Sequence, residues 1–331
     1  MTFSAVSCLI TASTMIYSQK QKTDGRTRSV VLRLLVVGLV LAGMAGATIL
    51  VLHTLDVAPV GLRRRNTELL RLWNDGRYRD VLRLADSTLE TDPLDAEALT
   101  FAGFSHFYIG LGLAEHDEQL EHLRSAIVFL RRAMHVPYAP LAGERDYVLA
   151  KAYYHRGDEY VDLTVSYMER ALQHGYDAPD SRTYLALAFA ILGDHQQSIR
   201  WFEEALVHAD PADRSAIRIR AADSYLELSR YADARNTLLR AIQDLDDDFL
   251  VLIARNKLAS AYIADERWDE AETLLDETIE RFPQSADAYY YLGIVYEATD
   301  RGVQARNLWR TARDIDPDHT EALMQLANWG R

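Results

Sequence analysis

Apolar and polar positions along this chain follow two different rhythms. Between residues 30 and 52 nearly every position is apolar, and only Arg33 interrupts the run. The uncharged stretch from Leu34 to Leu52 is 19 residues long. As a helix it spans about 28 Å, close to the thickness of bilayer hydrocarbon. The pattern predicts a transmembrane helix over 30–53, with a basic, unstructured leader over 1–29 before it and a linker over 54–61 after it. From residue 62 onward the apolar positions recur with helical spacing, and no segment sustains period-two alternation. An all-α body with essentially no sheet is the expectation.

The body also resembles itself at a fixed period of about 34 residues. Ala133, Ala171, Ala205, Ala241, Thr278 and Ala312 recur near helix ends. Ser198, Ala234, Ala271 and Ala305 each stand seven residues earlier, two helical turns away and so on the same face. A turn followed by a ring repeats as Gly76-Arg77-Tyr78, Gly193-Asp194-His195, Ser229-Arg230-Tyr231 and Glu266-Arg267-Trp268. Pro93, Pro179, Pro211, Pro283 and Pro317 fall at the other joint and read as stops between units. Each unit is therefore helix, short turn, helix, stop.

In the last full unit Tyr289, Leu292, Gly293, Tyr296, Ala305, Trp309, Ala312 and Pro317 carry the large, small and proline positions. The unit before it carries Leu258, Ala259, Tyr262, Trp268, Ala271, Leu275 and Pro283. These residues resemble the tetratricopeptide repeat family, which implies a right-handed α-α superhelix of stacked hairpins. Seven hairpins fit over 62–319, starting near Leu62, Ala96, Gly143, Pro179, Ser215, Leu252 and Ala286, and a capping helix fits over 320–331. Arg65, Glu68 and Asp146 stand where the family prefers apolar side chains, so the first and third hairpins are expected to be irregular. The long second unit places about a dozen extra residues near 111–123 between its helices. His116, Asp117, Glu118, Glu121 and His122 make that insert a possible metal cluster, but the histidines are six apart and not on one face, so a solvated helix extension is expected.

The resemblance further implies that the first helix of each hairpin lines a concave groove, where the family binds extended peptides or partner helices. Taking the second, fifth, ninth, twelfth and thirteenth positions of each unit as inward gives Phe104, Phe107, Tyr108, Tyr147, Lys151, Tyr154 and His155 in units two and three. Units four to seven give Thr183, Leu187, Asp223, Asn256, Ser260 and Tyr290. An aromatic patch around the single lysine, Lys151, suits an apolar partner segment with one anionic or carbonyl group. Some family members grip a chaperone's terminal carboxylate with repeated inward Lys and Asn. Here Lys151 and Asn256 are separated by Leu187 and Asp223, so that clamp is not expected.

Charge changes the picture in one respect. Lys plus Arg is 36 and Asp plus Glu is 49, a net charge of −13. Residues 1–65 hold eight bases and two acids, and residues 66–331 hold 28 bases and 47 acids. So acidic a body repels polyphosphate, and nucleic acid is excluded as its main partner. Lys20, Lys22, Arg26, Arg28 and Arg33 at one end of the apolar run outnumber Arg63, Arg64 and Arg65 at the other. The bias puts the amino terminus in the cytoplasm and the repeats outside, as in a single-pass protein of a bacterial inner membrane. Gly38, Ala42 and Gly46 form a small-residue helix face that suits pairing of two such anchors. Two rival readings remain. Cleavage after Ala47 would make an exported soluble protein that binds a small ligand or serves a transport system. An inverted anchor would make a cytoplasm-facing tethered regulator. Met15 opens a cleaner basic leader than Met1.

Chemistry is sparse. The one cysteine, Cys8, excludes internal disulfides and thiolate metal sites. There is no phosphate-binding glycine loop, no paired-histidine zinc motif and no nucleophile elbow. The acidic run Asp244, Asp246, Asp247 and Asp248 lacks the spaced ligands and glycine of a calcium loop. No enzyme, no cofactor and no metal site are expected. The function expected is that of a membrane-anchored scaffold holding a protein or peptide partner.

Overall fold

The computed structural model describes residues 68–329. The leader, the expected span 30–53, the linker, the Gly38, Ala42 and Gly46 face, the Ala47 cleavage point and Arg65 lie outside the described residues. No helix within them is long and apolar enough to cross a membrane, and no strand occurs among them.

The described helices pair off in chain order. A helix over 68–74, α1, precedes α2 (Tyr78–Thr91). Then come α3 (Ala96–Leu111) with α4 (His116–Met134), and α5 (Ala142–Arg156) with α6 (Val161–Gln173). Next are α7 (Ser181–Ile191) with α8 (His195–His208), and α9 (Pro211–Glu227) with α10 (Tyr231–Gln243). The last pairs are α11 (Asp248–Ala264) with α12 (Trp268–Arg281), and α13 (Ala286–Ala298) with α14 (Gly302–Ile315), followed by the single helix α15 (Thr320–Asn328). First helices of neighbouring hairpins touch one another from α3 to α13, whereas second helices pack on first helices. The first helices therefore form the inner layer of the stack.

The small residues are what allow this packing. Ser198, Ala205, Ala234, Ala241, Ala271, Thr278, Ala305 and Ala312 are all fully buried, so the second helices approach the layer beneath without voids. Opposite them, Gly293 lies under the Trp309 indole, where a Cβ would stand 2.3 Å from Nε1. That nitrogen donates to the Tyr290 carbonyl at 3.2 Å.

The turn after α3 does without a residue in the left-handed region, Gly112 having φ −88°, whereas five other hairpin turns each place one there. Gly76 and Gly193 supply it at φ 69° and 76°, but Ser229, Glu266 and Asp300 adopt φ of 56°, 54° and 59°, which costs an L-residue about 1 kcal/mol or more. A clasp across the turn offsets the cost. The amides of Arg230, Arg267 and Arg301 donate to the carbonyls of Tyr225, Tyr262 and Tyr296 at 2.8, 2.9 and 2.7 Å. Each guanidinium then lies over the same tyrosine's ring, 4.8, 5.4 and 3.8 Å from its centre.

In the third hairpin buried Asp146 is met by Arg170 of α6 at 3.1 Å and by His174 just beyond that helix at 2.9 Å, and the irregularity lies in the turn, where Gly157 has φ 126° and Asp158–Tyr160 form a short 3-10 helix. Burial still pushes the Asp146 carboxyl above the usual range, against the pull of both partners. In the first hairpin Glu68 is exposed and pairs with Arg71 at 2.8 Å. The extra length of the second unit is not one insert at 111–123. It lies mainly in a longer α4 and in the connection 135–141. The acidic run at 244–248 is structural: Asp244 meets Arg218 at 2.6 Å, Asp247 caps α11 through the Leu250 amide at 3.0 Å, and Asp248 meets Arg281 at 2.5 Å.

Two substitutions test this packing by urea denaturation. Gly293→Ala should destabilise by about 1–3 kcal/mol despite alanine's better helix propensity, since Trp309 has nowhere to go. Glu266→Gly should stabilise by up to about 1 kcal/mol by relieving the left-handed turn.

Candidate functional site

Between α7 and α9 the inner layer opens into a cleft of about 430 Å³. Pro179, Leu187, Ala209, Ala216 and Ile217 make its surface apolar, and Asp180, Thr183, Asp213 and Arg220 bring polar groups to it. On α9 the residues 213, 216, 217 and 220 recur at three and four, which places them on one face. Among the described residues Arg220 has no carboxylate at ion-pair distance, and neither does Asp213 have a cation. Arg220 is exposed, and its charge bears on the Tyr154 phenol of α5, opposing the rise that burial imposes there.

Beside the cleft lies a closed polar cluster. Lys151 donates to Asp180 Oδ2 at 2.7 Å and to the Tyr147 hydroxyl at 2.9 Å. The Tyr147 hydroxyl donates to Asp180 Oδ1 at 2.6 Å. The Lys151 ammonium also sits 5.0 Å from the Tyr147 ring centre and 4.7 Å from that of Tyr184. Burial first, then the bond to Asp180, hold the Tyr147 phenol protonated well above its ordinary range. His155 Nε2 shares a 3.0 Å hydrogen bond with the Tyr184 hydroxyl, and burial with the nearby Lys151 charge lowers its pKa.

The expected groove residues divide accordingly. Tyr147, Lys151, Tyr154, Thr183 and Leu187 gather at or beside this cleft. Phe104 is 4% exposed and packs against Trp73 at 5.6 Å and Phe101 at 6.1 Å, yet with Tyr147 it contributes to the lining of a separate, small aromatic cleft beside Trp73. Tyr108 stacks on Tyr78 at 5.3 Å and borders the same aromatic cleft, of about 220 Å³, with Trp73 and Tyr176. Asn256 and Tyr290 stand further along the stack. The Asn256 amide donates to Ser285 and Asp287, each at 3.4 Å, and its oxygen is buried with no partner among the described residues. Tyr290 packs on His319 at 5.2 Å.

Lys151 is the main correction. Its charge is satisfied by Asp180 and boxed by two tyrosine rings, whereas Arg220 at the cleft has no carboxylate at ion-pair distance among the described residues. Counting inward positions from Ser215 passes over Arg220, and the first helix of the fifth unit in fact starts at Pro211. That proline occupies the first turn of α9, where its missing N–H has no intrahelical partner to lose. Counted from that start the same positions fall on Ala212, Ser215, Ile219, Ala222 and Asp223, so Arg220 is found only from the cleft itself, which Asp213, Ala216, Ile217 and Arg220 line.

Residues 165–214 and 256–320 match the family model described as tetratricopeptide repeat. Those stretches are tetratricopeptide repeats. The C-terminal part of a TPR repeat-containing protein from Cytophaga hutchinsonii superposes with a TM-score of 0.58 at 14% identity, over 79% of this chain and 99% of that one. The Cut9–Hcn1 hetero-tetramer of the APC/C gives 0.50 at 13% identity, over 82% of this chain and 50% of that chain, so this chain spans half its length. MamA from Desulfovibrio magneticus RS-1 gives 0.47 at 17% identity, over 54% of this chain and 97% of that one. At such identities the likeness concerns the fold: an all-α solenoid of TPR type. None of these matches indicates an enzymatic family, and a comparison with curated proteins gives no significant match.

The two cations should separate by their effect on stability. Asp180→Asn leaves the largely buried Lys151 without its counter-ion and should cost about 1–2 kcal/mol, discounted for the partial exposure of Asp180. Arg220→Ala should leave the denaturation midpoint within about 0.5 kcal/mol of the parent.

Proposed function

We propose that this chain is a non-catalytic adaptor which holds a segment of a partner protein in the cleft between α7 and α9, and that residues 30–53 anchor it in a membrane. The observation that carries the reading is Arg220: an exposed cation with no carboxylate of its own, at the edge of an apolar cleft on the inner layer of the stack. An aliphatic or aromatic partner side chain can fill the floor formed by Leu187, Ala216 and Ile217. A partner carboxylate beside it can then take the fork of donors that Arg220 offers. The strongly acidic body disfavours a polyacidic partner at long range, so the segment is apolar with a single carboxylate.

The membrane half of the reading rests on the length and apolarity of 30–53 and on the flanking bases. It places the repeats outside the cytoplasm and leaves the Gly38, Ala42 and Gly46 face free to pair two anchors.

Peptides selected from a random displayed library on the full chain should converge on an aliphatic or aromatic residue adjacent to Asp, Glu or a terminal carboxylate. Arg220→Glu should weaken the selected peptides at least about tenfold, the worth of one charge-assisted hydrogen bond, without lowering the melting temperature. A consensus lacking an acid, or affinities indifferent to both Arg220→Glu and Leu187→Ala, would overturn the assignment. For the anchor, the full chain should stay with membranes through an alkaline wash, and a chain beginning at residue 62 should not. Release of both would refute it.

A further inference from the structure

A second site lies on the other side of the second hairpin, away from the groove. His106 of α3 and His122 of α4 face each other with their Nδ1 atoms 3.1 Å apart. Both rings are partly buried. They border a polar cavity of about 370 Å³ together with Glu118, Glu121 and Ser125. Glu118 precedes His122 by one helical turn, so both project on the same side of α4.

The close approach is built into the hairpin. A Cβ on Gly103 would stand 2.5 Å from Leu130, and one on Gly110 would stand 3.0 Å from the Cβ of His122. These glycines are two turns apart on one face of α3, and they let α4 approach closely enough for the imidazoles to meet. The His106 ring is further fixed by stacking on Phe129, 5.5 Å between centres and 13° between planes. The geometry of an isolated N–H···N hydrogen bond does not call for this support, nor for two carboxylates around the same cavity.

We infer that His106 and His122 form the nitrogen half of a site for a borderline divalent cation of the Zn2+ class, with Glu118 the third protein ligand and water completing the shell. Two imidazole nitrogens on one tetrahedral ion at about 2.0–2.1 Å lie roughly 3.3 Å from each other. The observed 3.1 Å separation needs only small ring rotations to admit the ion. Among the described residues no three His, Cys, Asp or Glu side chains already converge on one point, so Glu118 must swing in through a rotamer change, which its exposed position allows. Imidazole nitrogens with a carboxylate suit Zn2+ better than Mg2+ or Ca2+, which take oxygen shells. On binding, the Nδ1 proton that one ring carries in the hydrogen bond moves to Nε2 by tautomerisation, which leaves both Nδ1 lone pairs for the ion.

The test is titration of the full chain with Zn2+ by calorimetry, and with Co2+ by visible absorption. One equivalent per chain should bind, and Co2+ should give the intense bands of a four-coordinate centre. His122→Ala and His106→Phe should each weaken binding at least about tenfold, since losing even an outer-shell partner costs that much. The phenylalanine keeps the stack on Phe129, so the fold survives the change, as circular dichroism would verify. Glu118→Gln should weaken binding by a smaller factor, and His116→Ala, on the exposed first turn of α4, should leave it unchanged. No saturable binding, or binding that persists in His122→Ala, would overturn the inference and leave the pair as a plain hydrogen bond.

Discussion

The constraint on which the structure depends is how closely one helix can approach the next. A two-helix hairpin of this length cannot bury its own apolar face, so each hairpin is stable only against its neighbours. Contact at that spacing requires small side chains at fixed positions, two helical turns apart. Where the chain places Ala234 with Ala241, Ala271 with Thr278 and Ala305 with Ala312, every one is fully buried. Larger groups are then free to fill the remaining gaps, as Trp309 does over Gly293. The same rule reaches the histidine pair, since Gly103 and Gly110 bring α4 against α3.

Within this frame polar groups have defined tasks. Several first helices are capped by a side chain, with Asp95, Asp247, Ser285 and His319 each accepting from an amide three residues on. Buried Asp146 is met by Arg170 and His174, and buried Arg145 donates to the Pro140 carbonyl at 2.8 Å. Other exposed arginines, among them Arg79, Arg124, Arg240 and Arg310, also lack a carboxylate at ion-pair distance among the described residues, and what distinguishes Arg220 is its place at the edge of an apolar cleft on the inner layer.

The hairpin order, the inner layer and the small-residue positions were legible in the sequence because each leaves a periodic mark. The groove's working residues were less legible for a specific reason. A proline between two helices reads as a stop, and Pro93, Pro179, Pro283 and Pro317 do lie outside the helices. Pro211 instead opens α9, and a count from either Pro211 or Ser215 lands on Asp223 and passes Arg220, because the rotation that turns residues 213, 216, 217 and 220 to the cleft leaves no mark in the repeat period. Lys151 was found but its role was not, since the ion pair with Asp180 bridges 29 residues of sequence and leaves no local pattern. His106 escaped for the same reason: its partner is 16 residues away across a turn, and only the lengths of α3 and α4 bring the two level.

Polar bridges tie first helices together along most of the inner layer. Lys151 and His155 reach from α5 to Asp180 and Tyr184 at α7. Asp223 of α9 meets Lys257 of α11, Asn256 of α11 meets Asp287 of α13, and Asp287 meets His319 at the start of α15. Among the described residues no such bridge spans α7 and α9, whose contact is sparse. One buried apolar cluster instead joins Ala186 of α7 to Ile217, Ala221 and Tyr225 of α9, with Trp201 touching it and the cluster before it. These two helices are thus held to each other by apolar packing, which has no preferred direction, where their neighbours are also held by directional bonds. A change in cleft width at this point breaks no polar bridge between the two helices that form it.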